Sequence, residues 1–166
     1  MGANFNELSS FVWSVAVLLR GDYKQSDYGK VILPFTLLRR MDCVLEKTKP
    51  AVLQEYESRK NLGIDLTTFL TRKAGQSFYN TSPFDFPRLL GDPAHIKANL
   101  TAYINAFRDN SRDIFERYGF FKQLEKLDDN NLLFLIVQKF FALSLKQSQS
   151  NLRYLFKVKV LPLRGR

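Results

Sequence analysis

Phe11–Lys47 reads FVWSVAVLLRGDYKQSDYGKVILPFTLLRRMDCVLEK, and the spacing of its apolar residues decides the fold class. Leu8, Phe11, Val12, Val15, Leu18 and Leu19 recur at helical intervals, so a first helix is predicted over Phe5–Arg20. Asn4 or Asn6 can cap its start, and Gly21 is a natural stop. A polar loop, Gly21–Gly29, follows. Ser26 or Asp27 then caps a second helix running to about Lys47, with Val31, Phe35, Leu38, Met41 and Leu45 as its stripe. Pro34 falls inside that helix and predicts a kink, because it lacks an amide proton and its ring crowds the preceding turn.

The same reading extends outward. Thr48 and Pro50 suit the start of a third helix ending near Gly63. Asp65 caps a short helix from Leu66 to about Lys73, closed by Gly75. Gln76–Asp85 is a loop, and Phe86–Leu90 forms about one turn. Asp92-Pro93 opens a helix through Phe107, and Ser111 caps another over Arg112–Tyr118. Phe120–Leu127 is short and helical, and Asn131 caps a last helix from Leu132 to about Leu145. No hairpin pattern precedes residue 150. The expected class is all-α, a multi-helix bundle of six to eight helices occupying residues 1–146. Residues 147–166 are expected to be an irregular or extended basic tail; their alternation around Lys157-Val158-Lys159-Val160 suits a strand or an unfolded tail.

The formal charge of +9 is unevenly spread. All sixteen acidic residues lie between Glu7 and Asp129, with eighteen basic residues among them. From Asn130 onward come seven basic residues and no acid: Lys139, Lys146, Arg153, Lys157, Lys159, Arg164 and Arg166. Whole-chain charge therefore says little about polyanion binding by the body. Cys43, the single cysteine, excludes an internal disulfide, and its place in a partly apolar helix suits core packing. The longest apolar run, Leu132–Val137, is far short of the roughly 20 residues needed to cross a bilayer. With no secretory signal pattern either, the cytoplasm is the expected compartment and no membrane partner is expected.

Catalytic chemistry needs convergent groups. His95 is the only histidine and has no nucleophile-elbow context, so it reads as a solvated helix residue. One His and one Cys are too few for a zinc site. Neither glycine-rich phosphate loop can be drawn. The Asp128-Asp129 pair lies in a polar connector. No catalytic, cofactor-binding or metal-binding residue is assigned.

Cations beside amides and hydroxyls are a weaker signal. Lys24 and Lys30 flank the start of the second helix, and Arg39-Arg40 lie along it. Arg72-Lys73 precede the polar loop Gln76-Ser77-Phe78-Tyr79-Asn80-Thr81-Ser82. Such groups suit phosphate contacts that position a protein on a duplex. Lys24, Lys30, Arg39, Arg40, Arg72, Lys73, Gln76 and Asn80 are the DNA-contact candidates. The competing expectation is that cations merely favour helix C-termini. Phe78 and Tyr79 can stack on bases but suit packing beneath a loop better.

Four stretches carry a family resemblance: Phe11–Lys47 above, KAGQSFYNTS (73–82), LLGDPAHIKANLTAYINAF (89–107) and RDIFERYGFFKQLEKL (112–127). Together they resemble the N-terminal domain of the M subunit of Type I restriction-modification systems, over residues up to about 145. The resemblance implies an α-helical domain joined to a Rossmann-like methyltransferase domain. The full subunit moves a methyl group from S-adenosylmethionine to the N6 of adenine. Its implied partners are duplex DNA, a specificity (S) subunit, a second M subunit and a restriction (R) subunit. The helical domain is implied to help the M subunits close around DNA and to touch neighbouring subunits. A purely structural domain, docking on the S subunit or the catalytic domain without touching DNA, is the alternative.

The chain departs from the family pattern where the cofactor glycine motif and the catalytic Asn-Pro-Pro-Phe would follow. Neither is present, so no cofactor is expected in this chain and no catalysis from it alone. Residues beyond about Lys146 do not resemble the family's continuation. Their change of character suits a frameshifted or prematurely ended gene, or a cloned fragment.

Overall fold

Apolar spacing at helical intervals produces helices almost throughout the computed structural model, which describes residues 2–143. Nine α-helices form among these residues: α1 Gly2–Leu19, α2 Tyr28–Leu45, α3 Lys49–Arg59, α4 Thr67–Ala74, α5 Phe86–Leu90, α6 Ile96–Asn105, α7 Asp109–Arg117, α8 Phe120–Asp129 and α9 Leu133–Ala142. Short 3₁₀ turns at Gln25–Asp27 and Pro93–His95 lead into α2 and α6. The helix count exceeds the expected six to eight because the turn at Phe86–Leu90 is a separate short helix. The all-α class holds: isolated bridges join Arg20 to Tyr23 and Asn80 to Phe107, and no strand forms among the described residues. The readings of residues 147–166 fall outside the described residues.

Most helix ends follow local chemistry, and several differ from the sequence expectation. Asp65 caps α4 as expected, its carboxylate accepting from the Thr67 amide at 2.9 Å. Gly75 closes α4 in the left-handed region at φ 65°, where a glycine carries no Cβ penalty. α1 begins at Gly2, so Asn4 and Asn6 fall within the helix and not at its start. Asp27 precedes α2, yet its carboxylate turns to Lys30 at 3.0 Å instead of to the backbone. Ser111 lies inside α7, which starts at Asp109; its hydroxyl donates to Asn110 and the residue is buried. Asn131 acts backwards. At φ 56° it ends α8, with its amide donating to Asp128 and the Leu132 amide to Leu127. Paired bonds of that kind close a helix around a left-handed residue. The third helix stops at Arg59, short of Gly63. α2 continues through buried Pro34 as one helix.

The interior is a relay of aromatic rings. Phe11 of α1 meets Phe140 of α9 at 4.9 Å, and Phe140 stacks on Phe35 of α2 at 5.2 Å. Phe35 meets Phe120 of α8 edge-on at 4.8 Å, and Phe120 lies 5.7 Å from Phe115 of α7. Phe107 follows at 6.0 Å and Tyr103 of α6 at 5.3 Å beyond it. Such pairs contribute about 0.5–1.5 kcal/mol each beyond area burial. One relay therefore ties six helices into a single core. α3 contributes one fully buried residue, Val52, and packs chiefly on α4. The α3–α4 hairpin thus stands at the edge of the body.

Candidate nucleic-acid interface

α4 is amphipathic over only eight residues. Leu70 and Ala74, one turn apart, are buried, which leaves Thr68, Arg72 and Lys73 exposed. Gly75 then breaks the helix and places Gln76 and Ser77 beside its last turn. The loop that follows is pinned to the α6–α7 connection. The Thr81 amide donates to Ala106 at 3.0 Å, and the Arg108 amide donates to Tyr79 at 3.2 Å. The Arg108 guanidinium donates to the Ser77 carbonyl at 2.8 Å. Thr68, Thr71, Arg72, Gly75, Gln76, Ser77 and Arg108 consequently line one shallow open depression. Hydroxyls, an amide and two guanidinium groups around a concave surface match phosphate chemistry.

Arg108 and the Thr68 and Thr71 hydroxyls of this depression are absent from the sequence reading. Arg108 comes from a segment 31 residues beyond Ser77, and no local pattern joins them. Arg108 also lines a less open cleft with Tyr56, Asp65, Tyr79, Asn105 and Asn110. Hydrogen bonding from Thr67 holds the Asp65 carboxyl below the usual carboxylate range, with Arg108 adding to the effect.

The remaining candidates are scattered. Lys24 and Lys30 are exposed around the 3₁₀ turn before α2. Their neighbour Asp27 is held low chiefly by its bond from Lys30. Arg40 is half-buried on α2. Phe78 and Tyr79 are half-buried and pack against the core.

Two candidates face inward, and their donors are spent within the chain. Asn80 is 2% exposed: its amide nitrogen donates to Tyr103 at 2.8 Å and its oxygen accepts from the Ser82 amide at 2.7 Å. Arg39 is 9% exposed. It donates to Asp42 at 2.8 Å, to the Phe141 carbonyl at 3.0 Å and to the Leu143 carbonyl at 3.1 Å. The Phe86 and Phe141 rings flank its guanidinium, each centroid 5.2 Å away. In this fold both side chains are bonded to interior partners.

Around Arg39 lies a buried polar network. Tyr103 donates its hydroxyl to Asp42 at 3.1 Å. Burial pushes the Asp42 carboxyl up, opposed by the Arg39 charge and the Tyr103 bond. Burial also pushes the Tyr103 phenol well up. The Lys49 ammonium lies 5.0 Å from the Tyr103 ring centroid and donates to the Phe84 carbonyl. Desolvation lowers Lys49 to about 8.

His95 is exposed, and its imidazole pairs with Asp92 at 2.9 Å. Cys43 is buried and free. No group of His, Cys, Asp and Glu among the described residues is arranged to hold a metal ion. No helix among them is long and apolar enough to cross a membrane.

No curated protein and no solved structure matches the chain. A family model, the HsdM N-terminal domain, matches residues 8–140. The matched span runs from the buried Leu8 of α1 to Phe140 in the aromatic relay, and so takes in α2–α8 whole and most of α1 and α9. The chain belongs to the HsdM N-terminal domain family, the N-terminal domain of the M subunit of Type I restriction-modification systems.

Proposed function

We propose that this chain is the DNA-contacting and subunit-contacting helical module of a Type I methyltransferase M subunit, and that the depression at the end of α4 holds duplex phosphates. Arg72 and Arg108 supply its charge, the exposed Lys73 adds another next to Arg72, and Gln76, Ser77 and Thr68 supply neutral hydrogen bonds. The observation that carries this reading is the convergence of Arg72, Gln76, Ser77 and Arg108 on one open surface. Lys24, Lys30 and Arg40 are further phosphate contacts in this reading. The assembly would include the S subunit, a second M subunit and the R subunit, working in the cytoplasm.

Methyl transfer from S-adenosylmethionine to the N6 of adenine belongs, on this reading, to polypeptide other than these helices. An adenosyl site of the Rossmann kind needs a strand leading into a glycine-rich turn and a helix. That the described residues form helices and turns supports placing this site outside them.

Salt titration of duplex binding tests the phosphate contacts. Each neutralised phosphate contributes a slope of about 0.9 in log affinity against log salt. The full chain carrying Arg72→Glu and Lys73→Glu should bind more weakly, with a slope shallower by about 2. The basic residues after Asn130 are common to both proteins and cancel in the comparison. An unchanged slope and affinity would remove α4 from the interface.

A second reading, a docking domain that never touches phosphate, draws on α1. Trp13 and Val17, one turn apart, are 65% and 49% exposed, an apolar face suited to another subunit. Unchanged duplex affinity in the α4 variant, with loss of subunit assembly in Trp13→Ser, would favour it.

A further inference from the structure

We propose that Arg39 is a positioning residue that fixes the direction in which the polypeptide leaves the helical body after α9. α9 ends at Ala142, and Leu143 adopts φ −81° and ψ 115°, so the chain turns out of the helix there. The last carbonyls of any helix lack intrahelical partners. Arg39 takes two of them, Phe141 at 3.0 Å and Leu143 at 3.1 Å, one on each side of the turn. A planar fork bonded at two points sets an angle as well as a position.

The fork itself is held on every side. Asp42 binds its third nitrogen at 2.8 Å, and Tyr103 holds the second Asp42 oxygen at 3.1 Å. The Phe86 and Phe141 rings each lie 5.2 Å from the guanidinium carbon. Helices α2, α5 and α6 therefore all bear on the geometry of the exit. Satisfying two carbonyls does not require this much. Water or an exposed lysine would do so without the desolvation cost of burying an ion pair, a cost that often outweighs the pair's own attraction. What a fixed buried fork adds is orientation. The partners lie 102 and 104 residues from Arg39 in sequence, so the latch closes only once α9 has docked on α2.

Backbone NMR on the full chain tests the latch with two variants. Arg39→Lys keeps the charge beside Asp42 but loses the fork. Asp42→Asn keeps the fork and loosens its anchor. In the wild type, the residual dipolar coupling of the Leu143 amide should fit the alignment tensor of α2, α6 and α8. In Arg39→Lys it should fall by at least half, and exchange of the Leu143 amide should quicken at least tenfold. Couplings within α6 and α8 should stay put in that variant. Asp42→Asn should give a smaller change in the same direction. A Leu143 coupling that is unchanged in Arg39→Lys, or already averaged in the wild type, would overturn the proposal. So would a loosening spread evenly over α2, α6 and α8, which would make Arg39 a general contributor to stability.

Discussion

The Tyr103 hydroxyl reaches the Asp42 carboxylate at 3.1 Å across 61 residues of sequence, inside the body and away from solvent. That bond supports a carboxylate which also carries Arg39. Tyr103→Phe should therefore cost about 1–3 kcal/mol, the range for leaving a buried acceptor one partner short. Burial already raises Asp42, and a raised carboxyl contributes stability that is lost as pH rises through its folded value. Removing the Tyr103 bond raises it further and widens the penalised window above the ordinary 3.8. Urea unfolding at pH 4 and pH 7 checks this: the deficit of the variant should be larger at pH 7.

Lys49 gives a second pH signature, of opposite sign. Its folded value of about 8 lies below the ordinary 10.5. Between those values the unfolded chain binds the extra proton, so stability rises with pH across the window. Relative to Lys49→Met, the wild type should gain about 2 kcal/mol between pH 7 and pH 10. Chemical denaturation of both proteins at the two pH values measures the difference; parallel curves would contradict it.

Arg39 and Arg72 should respond differently to charge reversal. Arg39→Glu places a carboxylate against Asp42 and the Phe141 and Leu143 carbonyls, and should cost about 3–5 kcal/mol, as breaking a buried ion pair does. Arg72→Glu, on the exposed face of α4, should change stability by no more than about 0.5 kcal/mol. Its effect should fall on duplex affinity. Thermal melts beside binding isotherms separate the two behaviours. A large drop in melting temperature for Arg72→Glu would mean that α4 depends on that side chain.

Gly75→Ala should cost about 1 kcal/mol. A Cβ there meets nothing within 4 Å, so the cost is backbone strain at φ 65°. Because Gly75 sets where Gln76 and Ser77 sit, duplex affinity should weaken as well. Gly75→Asn, which tolerates the left-handed region, should recover most of both losses.

Helix order was legible in the sequence because apolar periodicity is local, and α1, α2 and α4 follow it closely. Ends were harder. Asn131 carries a side chain suited both to starting α9 and to ending α8, and the left-handed backbone decides for the latter. Ser111 lost its capping role because α7 begins two residues earlier, at Asp109. For the candidate site, Arg72, Lys73 and Gln76 stood out as polar residues at a helix end, where they are indeed exposed. Arg39 misled, although it lies four residues after Phe35 and so shares the buried face of α2. Its charge suggested solvent, and the carbonyls that satisfy it lie more than a hundred residues away. Asn80 hid the same kind of distant partner in Tyr103.

None of the rings in the aromatic relay comes from α3 or α4, so the hairpin is joined to the core by a few contacts: Val52 and Leu70, Tyr56 packed against it, and Lys49 on the Tyr103 ring. Local opening costs least where few apolar contacts must break. The arm that bears Arg72 and Lys73 should therefore open at lower cost than the ring-linked helices, its following loop staying tied to the α6–α7 connection.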